Sequence, residues 1–244
     1  MRHFLVLALM LSTWAALPAL DAASLGKLKA ATIRVWSPTG FEGQGRLWGS
    51  GLVVARNGDA CYAVIDPIMA KYVTRTQPLR VFVGRMDGSA PIMEIVSELP
   101  AFGLALGRFT HPAAVVQAVA LDGGPCAIGD QVFAIGFPFG GVNADSTEPR
   151  AAVTATVTGG RISIIDGGVD GGPASYRSDF DLAPGMRGAP VADQGGKVVG
   201  VVLPAKRRGE LSSVAPAWAL RKLVDGFVSA CVVCLLYTSD AADE

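Results

Sequence analysis

The sequence predicts an all-β protein completed by one C-terminal helix, and three observations carry that prediction. Short runs rich in Val, Ile, Leu and Ala recur along most of the chain. Clusters of glycine, proline, asparagine and aspartate separate them, as at Arg56-Asn57-Gly58-Asp59, Met86-Asp87-Gly88 and Asp193-Gln194-Gly195-Gly196. Sustained helical spacing is evident only near the end. Many short strands divided by turn residues are the pattern of a β-barrel or sandwich. Half of the 244 residues are hydrophobic, which is material for one sizeable core or two small ones.

At the N-terminus, Met1-Arg2-His3 precedes the apolar run from Phe4 to Leu17, and Pro18-Ala19-Leu20-Asp21-Ala22-Ala23 follows. A positive start, a short apolar stretch and small residues near its end describe a secretory signal peptide over residues 1–22, cut somewhere between Ala19 and Ala23. Ser12, Thr13 and Pro18 interrupt the run, which falls short of the roughly 18 apolar residues expected of a membrane-spanning helix. The expected location is therefore outside the cytoplasm, periplasmic or secreted. Strands are expected over 31–37, 47–55, 60–65, 79–84, 92–97 and 104–109, then over 131–136, 151–165 and 198–203. The helix is expected over 215–224, opened by Pro216 and closed before Gly226. His111-Pro112 and Asp122-Gly123-Gly124-Pro125 mark the seam between a first half, 24–112, and a second, 113–233. The tail from Cys234 to Glu244 resembles a sequencing-library adapter translated in frame. It reads as a scar at 234–244, with natural sequence continuing past Val233.

Charge and cysteines narrow the function classes. Formal net charge is zero, so nothing points to a nucleic-acid or membrane-surface partner. Outside the leader and tail, Cys61, Cys126 and Cys231 remain. A Cys61–Cys126 bridge and two free buried thiols are both open readings. Neither Cys-x-x-Cys nor His-x-x-x-His spacing occurs, so no metal and no cofactor is expected.

The order of motifs resembles one family. Gly49-Ser50-Gly51-Leu52-Val53-Val54 is similar to the Gly-Ser-Gly-Val-Val strand of bacterial HtrA (DegP-like) proteases, a branch of the trypsin-like serine proteases. Gly129-Asp130-Gln131-Val132-Phe133-Ala134-Ile135-Gly136-Phe137-Pro138-Phe139-Gly140 resembles their Gly-Asp-x-Val-x-Ala-Ile-Gly-Asn-Pro-Phe-Gly run. Residues 153–163 resemble the following strand, Tyr176-Arg177-Ser178-Asp179 the approach to the nucleophile loop, and Val198-Val199-Gly200-Val201-Val202 with the final helix complete the match over about 30–226. The resemblance implies two perpendicular six-stranded β-barrels with the active site in the cleft between them.

The same resemblance implies that the catalytic triad is gone. The family's Gly-Asn-Ser-Gly-Gly-Pro loop is here Gly185-Met186-Arg187-Gly188-Ala189-Pro190, with Arg187 in the serine slot. The strand that should end in histidine ends Ala63-Val64-Ile65-Asp66-Pro67, placing Asp66 in the histidine slot. The Asp-Leu-Ala-x-Leu motif is represented by Gly103-Leu104-Ala105-Leu106, so Gly103 takes the place of the orienting acid. Such chemistry needs a nucleophile, a base and a group that orients the base. His111, Ser178 and Cys61 read as an ordinary loop residue, a turn or strand hydroxyl, and a core thiol.

Since the histidine and serine side chains touch in the parent fold, Asp66 and Arg187 are expected to face each other as an ion pair, bidentate if the geometry allows. Arg187 in solvent and Arg187 paired to Asp181 are the competing arrangements. The backbone of Gly185, Met186 and Arg187 is the expected oxyanion loop. Val199, Gly200, Val201, Val202 and Leu203 form the expected peptide-binding edge. The expectation is thus an inactive, exported HtrA-like homologue that binds extended polypeptide or a partner protein. An active serine-type endopeptidase with an unconventional site, and a structural module of a longer protein carrying a peptide-binding PDZ domain, are the alternatives.

Overall fold

The computed structural model describes residues 20–37, 47–71, 73–83, 90–112, 115–138, 155–168, 172–203 and 210–240, with Leu47 and 231–240 described by backbone alone. The expected leader lies outside these residues up to Ala19, as do 151–154 of the expected eighth strand. Among the described residues, no helix is long and apolar enough to cross a membrane.

The first described element, α1 (Ala22–Ala31), is a helix that the sequence reading did not anticipate. Its inward positions are few, with Leu28 and Ala31 buried, so no helical stripe stands out. The Asp21 side chain caps it, accepting the N–H groups of Ala23 and Ser24 at 2.9 Å each.

Six strands follow: β1 (Thr32–Ser37), β2 (Leu47–Asn57), β3 (Ala60–Ile65), β4 (Arg80–Phe82), β5 (Glu94–Leu99) and β6 (Leu104–Thr110). They form one sheet in the order β4-β1-β2-β3-β6-β5. An isolated Arg80–Ile92 bridge draws its two ends together, curling the sheet around Ile33, Val35, Ala63, Ile65 and Phe109. The second six are β7 (Gln131–Gly136), β8 (Thr156–Asp166), β9 (Ser175–Ser178), β10 (Pro190–Asp193), β11 (Val198–Val202) and β12 (Ser212–Pro216). These close into a barrel, β10-β11-β12-β9-β8-β7, around Val132, Ile162, Tyr176, Val191 and Val214. The protein is therefore mostly β, with two six-stranded barrel-like sheets, one closed and one half-barrel. The short strands β9, β10 and β12 escaped the sequence reading. Pro190 opens β10 and Pro216 ends β12, positions where a missing N–H leaves the ladder intact.

The terminal helix, α2 (Ala217–Asp240), is longer than expected. Gly226 lies inside it rather than after it, and a Cβ there would meet nothing within 4 Å. A helical glycine costs only about 1 kcal/mol relative to alanine, too little to end a helix whose inner face is held by packing. Leu220 and Leu223 are buried in the cluster that joins the two sheets. Trp218 meets Phe102 edge-on at 5.0 Å and Phe227 meets Tyr62 at 5.5 Å. The helix thus starts on the second barrel and reaches onto the first.

Candidate functional site

The site is built where the end of β3 faces the loop before β10. The chain leaves β3 at Ile65, and Asp66 caps a short 3-10 turn, Pro67–Met69. Pro67 suits the first position of such a turn, because its ring fixes φ and it has no N–H to satisfy. The carboxylate does two things. One oxygen, Oδ1, accepts the Ile68 N–H at 2.9 Å. The other, Oδ2, lies 3.2 Å from Nη1 of Arg187. Asp66 and Arg187 are therefore an ion pair across the two sheets, and Asp181 is not the partner.

The pair is not bidentate. Asp66 is 4% exposed, and one of its oxygens is committed to the turn. Neither Oδ2 nor Nη1 has a hydrogen-bond partner, so their approach is a charge contact rather than a directed bond. Burial pushes the Asp66 carboxyl above the ordinary aspartate range, and the Ile68 N–H and the Arg187 guanidinium pull it back only in part.

Arg187 is held by its backbone. Its carbonyl accepts the Ser50 N–H at 2.8 Å, and the next residue, Gly188, donates to the Val202 carbonyl at 2.8 Å. Gly188 has φ +78, and a Cβ there would lie 2.2 Å from the Ser50 carbonyl oxygen. Glycine is required on both counts. Ser50, fully buried in β2, donates from Oγ to the Gly185 carbonyl at 2.9 Å and accepts the Phe137 N–H at 3.0 Å. One hydroxyl thus ties the first sheet to two segments of the second. Met186 sits in the second core and gives its N–H to Ala183.

Gly103 follows the 3-10 turn Pro100–Phe102 and opens the way into β6 in the left-handed region, φ 60 and ψ 42. It has no side chain to orient anything, and a Cβ there would sit 3.6 Å from Leu203.

The expected peptide-binding edge needs correction. β11 is paired on one side with β10 and on the other with β12, and all five of its residues are buried. Val199, Gly200, Val201 and Val202 are interior barrel strand, with no open backbone to offer. Leu203 is half-buried and gives its N–H to Ser213. An apolar run reads alike whether it lies at an edge or in the middle of a sheet, so its neighbours had to be seen.

No alternative catalytic group assembles among the described residues. The His111 ring contacts the Pro112 carbonyl at 3.4 Å. Cys61 is buried in β3, its thiol pushed up by burial and directed at the carbonyls of Asp59 and His111. Ser178 is fully buried and its hydroxyl has no partner. Cys61 and Cys126 are both free and buried. Burial, with Asp130 and Asp193 nearby, holds the Cys126 thiol up at about 12, far from a reactive thiolate. No group of three potential metal ligands occurs among the described residues.

Two features of the site were missed. Ser50 entered the sequence reading as a motif letter, and only the fold shows its three hydrogen bonds. Arg34, in β1 opposite Ser50, is completely buried. Its guanidinium carbon lies 5.9 Å from the Phe82 ring centre and 5.5 Å from that of Phe137, and burial lowers its proton affinity. An arginine within the otherwise apolar Ile33-Arg34-Val35 was the available signal.

The family described as "Trypsin-like peptidase domain" matches residues 49–201. No curated protein matches the chain in sequence. Among solved structures, the inactive form of Rv3671c from M. tuberculosis, a serine-to-alanine mutant, aligns with TM-score 0.62 at 18% identity, covering 86% of this chain and 92% of that one. Deg5 aligns with TM-score 0.62 at 21% identity, covering 83% and 91%. The HtrA-type protease AlgW with a tripeptide aligns with TM-score 0.60 at 20% identity, and the match covers 85% of this chain but 63% of AlgW. At these identities the likeness is one of fold.

Proposed function

This chain belongs to the trypsin-like peptidase domain family, and from that premise we propose that it is an exported, catalytically inactive member that works by binding a polypeptide or partner protein. The observation that carries the reading is the Asp66–Arg187 contact at 3.2 Å. A working site keeps a nucleophile and a base there, free to exchange a proton. Here an arginine, which cannot lose its proton, stands against a buried carboxylate. Removing the serine or the histidine from a triad costs roughly a millionfold in turnover, and what survives is backbone stabilisation and binding. The groups in the cleft serve instead to join the two sheets: Asp66 to Arg187, and Ser50 to Gly185, Arg187 and Phe137.

The test has two arms on the purified full chain. A serine-directed phosphonate probe is expected to leave it unlabelled, and labelling would overturn the inactive reading. Fluorescence anisotropy of a dye-labelled unfolded polypeptide is expected to rise saturably with protein concentration. A flat titration would overturn the binding role and leave the inactivity standing.

A further inference from the structure

Resting on the polypeptide-binding reading above, we infer that the chain holds the C-terminal residue of a polypeptide in a pocket at the start of α2, with the terminal carboxylate on Arg221. This gives the binding role a surface that β11, paired on both sides, does not offer. The pocket has a volume of about 240 Å³ and lies between the 123–125 segment, Gly172-Pro173 ahead of β9, and Ala217, Trp218 and Arg221 of α2. None of its lining residues belongs to the Asp66–Arg187 site.

Bare backbone shapes the walls. A Cβ on Gly172 would come 2.6 Å from Trp218 Nε1, and one on Gly123 would come 2.1 Å from the Val198 carbonyl oxygen. Polar atoms along the walls are already engaged. The Trp218 indole N–H donates to the Pro173 carbonyl at 3.0 Å, and the Tyr176 hydroxyl accepts the Cys126 N–H at 3.1 Å. An apolar cavity of about 150 Å³ takes benzene, and drug-sized ligands fill about 300–1,000 Å³. The volume here suits one large aliphatic or aromatic side chain. Arg221 supplies the charge. Its Nη1 donates to the carbonyls of Leu121 and Gly123, the latter at 3.4 Å, which fastens the guanidinium in the pocket wall. Its Nε and Nη2 have no hydrogen-bond partner among the described residues, and Arg221 is exposed and outside both ion pairs. Those two nitrogens present parallel N–H groups, the face of a guanidinium that takes both oxygens of a carboxylate. In the last residue of a chain the carboxylate and the side chain leave the same Cα, so one residue can fill the pocket and meet Arg221 together. An internal apolar residue would bring a neutral amide to the guanidinium, and an acidic side chain would set its charge against apolar walls.

The experiment titrates the purified full chain into a short peptide that ends in phenylalanine and carries a dye at its N-terminus, and reads fluorescence anisotropy. The peptide with a free carboxylate is expected to bind saturably. Amidating its C-terminus is expected to weaken binding roughly tenfold or more, the worth of a hydrogen-bonded charge. A terminal glycine in place of the phenylalanine is expected to cost a similar factor. Arg221→Gln is expected to bring the free peptide to the affinity of the amidated one. Equal binding of free and amidated peptides, or a carboxylate effect that survives Arg221→Gln, would overturn this site and leave the polypeptide-binding reading standing. The amide comparison uses the native chain, so it decides even where Arg221→Gln does not fold. Failure of both peptides to bind would also overturn the site. A flat titration with the unfolded polypeptide as well would take the binding role with it.

Discussion

Asp66 carries two opposed demands, a buried carboxylate that must stay charged to face Arg187 and a site whose burial favours the neutral form. Burial wins, because the folded-state value lies above the ordinary one. The stability this group contributes is then fully present below the ordinary aspartate value near 3.9 and is lost as pH rises through the raised folded value. Asp66→Asn keeps the Ile68 acceptor and stays neutral throughout. Its stability relative to the native protein is expected to climb with pH across that window and then level, which urea unfolding at a series of pH values would reveal. Arg187→Met strands the carboxylate. A fully buried broken pair costs about 3–5 kcal/mol, but the Arg187 side chain is 24% exposed and Asp66 can take up a proton. The expected loss at pH 7 is about 1–3 kcal/mol, shrinking in acid, with Asp66→Asn/Arg187→Met recovering most of it. Ser50→Ala leaves the Phe137 N–H and the Gly185 carbonyl buried without their partner, and about 2–4 kcal/mol is expected to be lost. The facing of Asp66 and Arg187 was legible in the sequence, because a resemblance of motifs fixes which backbone positions meet. That only one oxygen takes part was not legible, since it depends on Oδ1 capping the turn at Ile68.

Among elements, two glycines separate a tolerant backbone from a committed one. Gly226, inside α2, has open space around its missing Cβ. Gly226→Ala is expected to raise stability by about 0.5–1 kcal/mol, read as a higher urea midpoint. Gly188→Ala is expected to fail in the opposite sense, since it sets both a positive φ and the Ser50 carbonyl against the new methyl group. Little soluble folded protein, or an early thermal transition, is the expected readout. Strands such as β3 and β7 were legible because each is an apolar run bounded by turn residues. The short ones were not. β10 and β12 carry proline and serine, and their strand character comes from the barrel neighbours that complete their ladders. α1 was obscured for a related reason, since its stability rests on a cap and on Leu28 and Ala31 rather than on a repeating stripe.

Across the whole molecule, the seam between the two barrels is closed from several directions. α2 spans it with Phe227 on Tyr62 and Trp218 on Phe102, Ser50 bonds it from β2, and the Asp66–Arg187 pair bridges the two sheets. On this account the fold keeps the frame of its family and turns the cleft into a joint. The two-barrel frame was legible because it rests on the order of many motifs. The buried Arg34 and the internal β11 depend on contacts between distant segments, which no local pattern records.

The most direct measurement is hydrolysis of an unfolded protein substrate by the purified full chain, beside the Arg187→Ser variant. The account predicts no cleavage by either, because a restored hydroxyl still faces Asp66 and has no imidazole to take its proton. Sustained cleavage by the native chain, abolished by a substitution in the cleft, would contradict it.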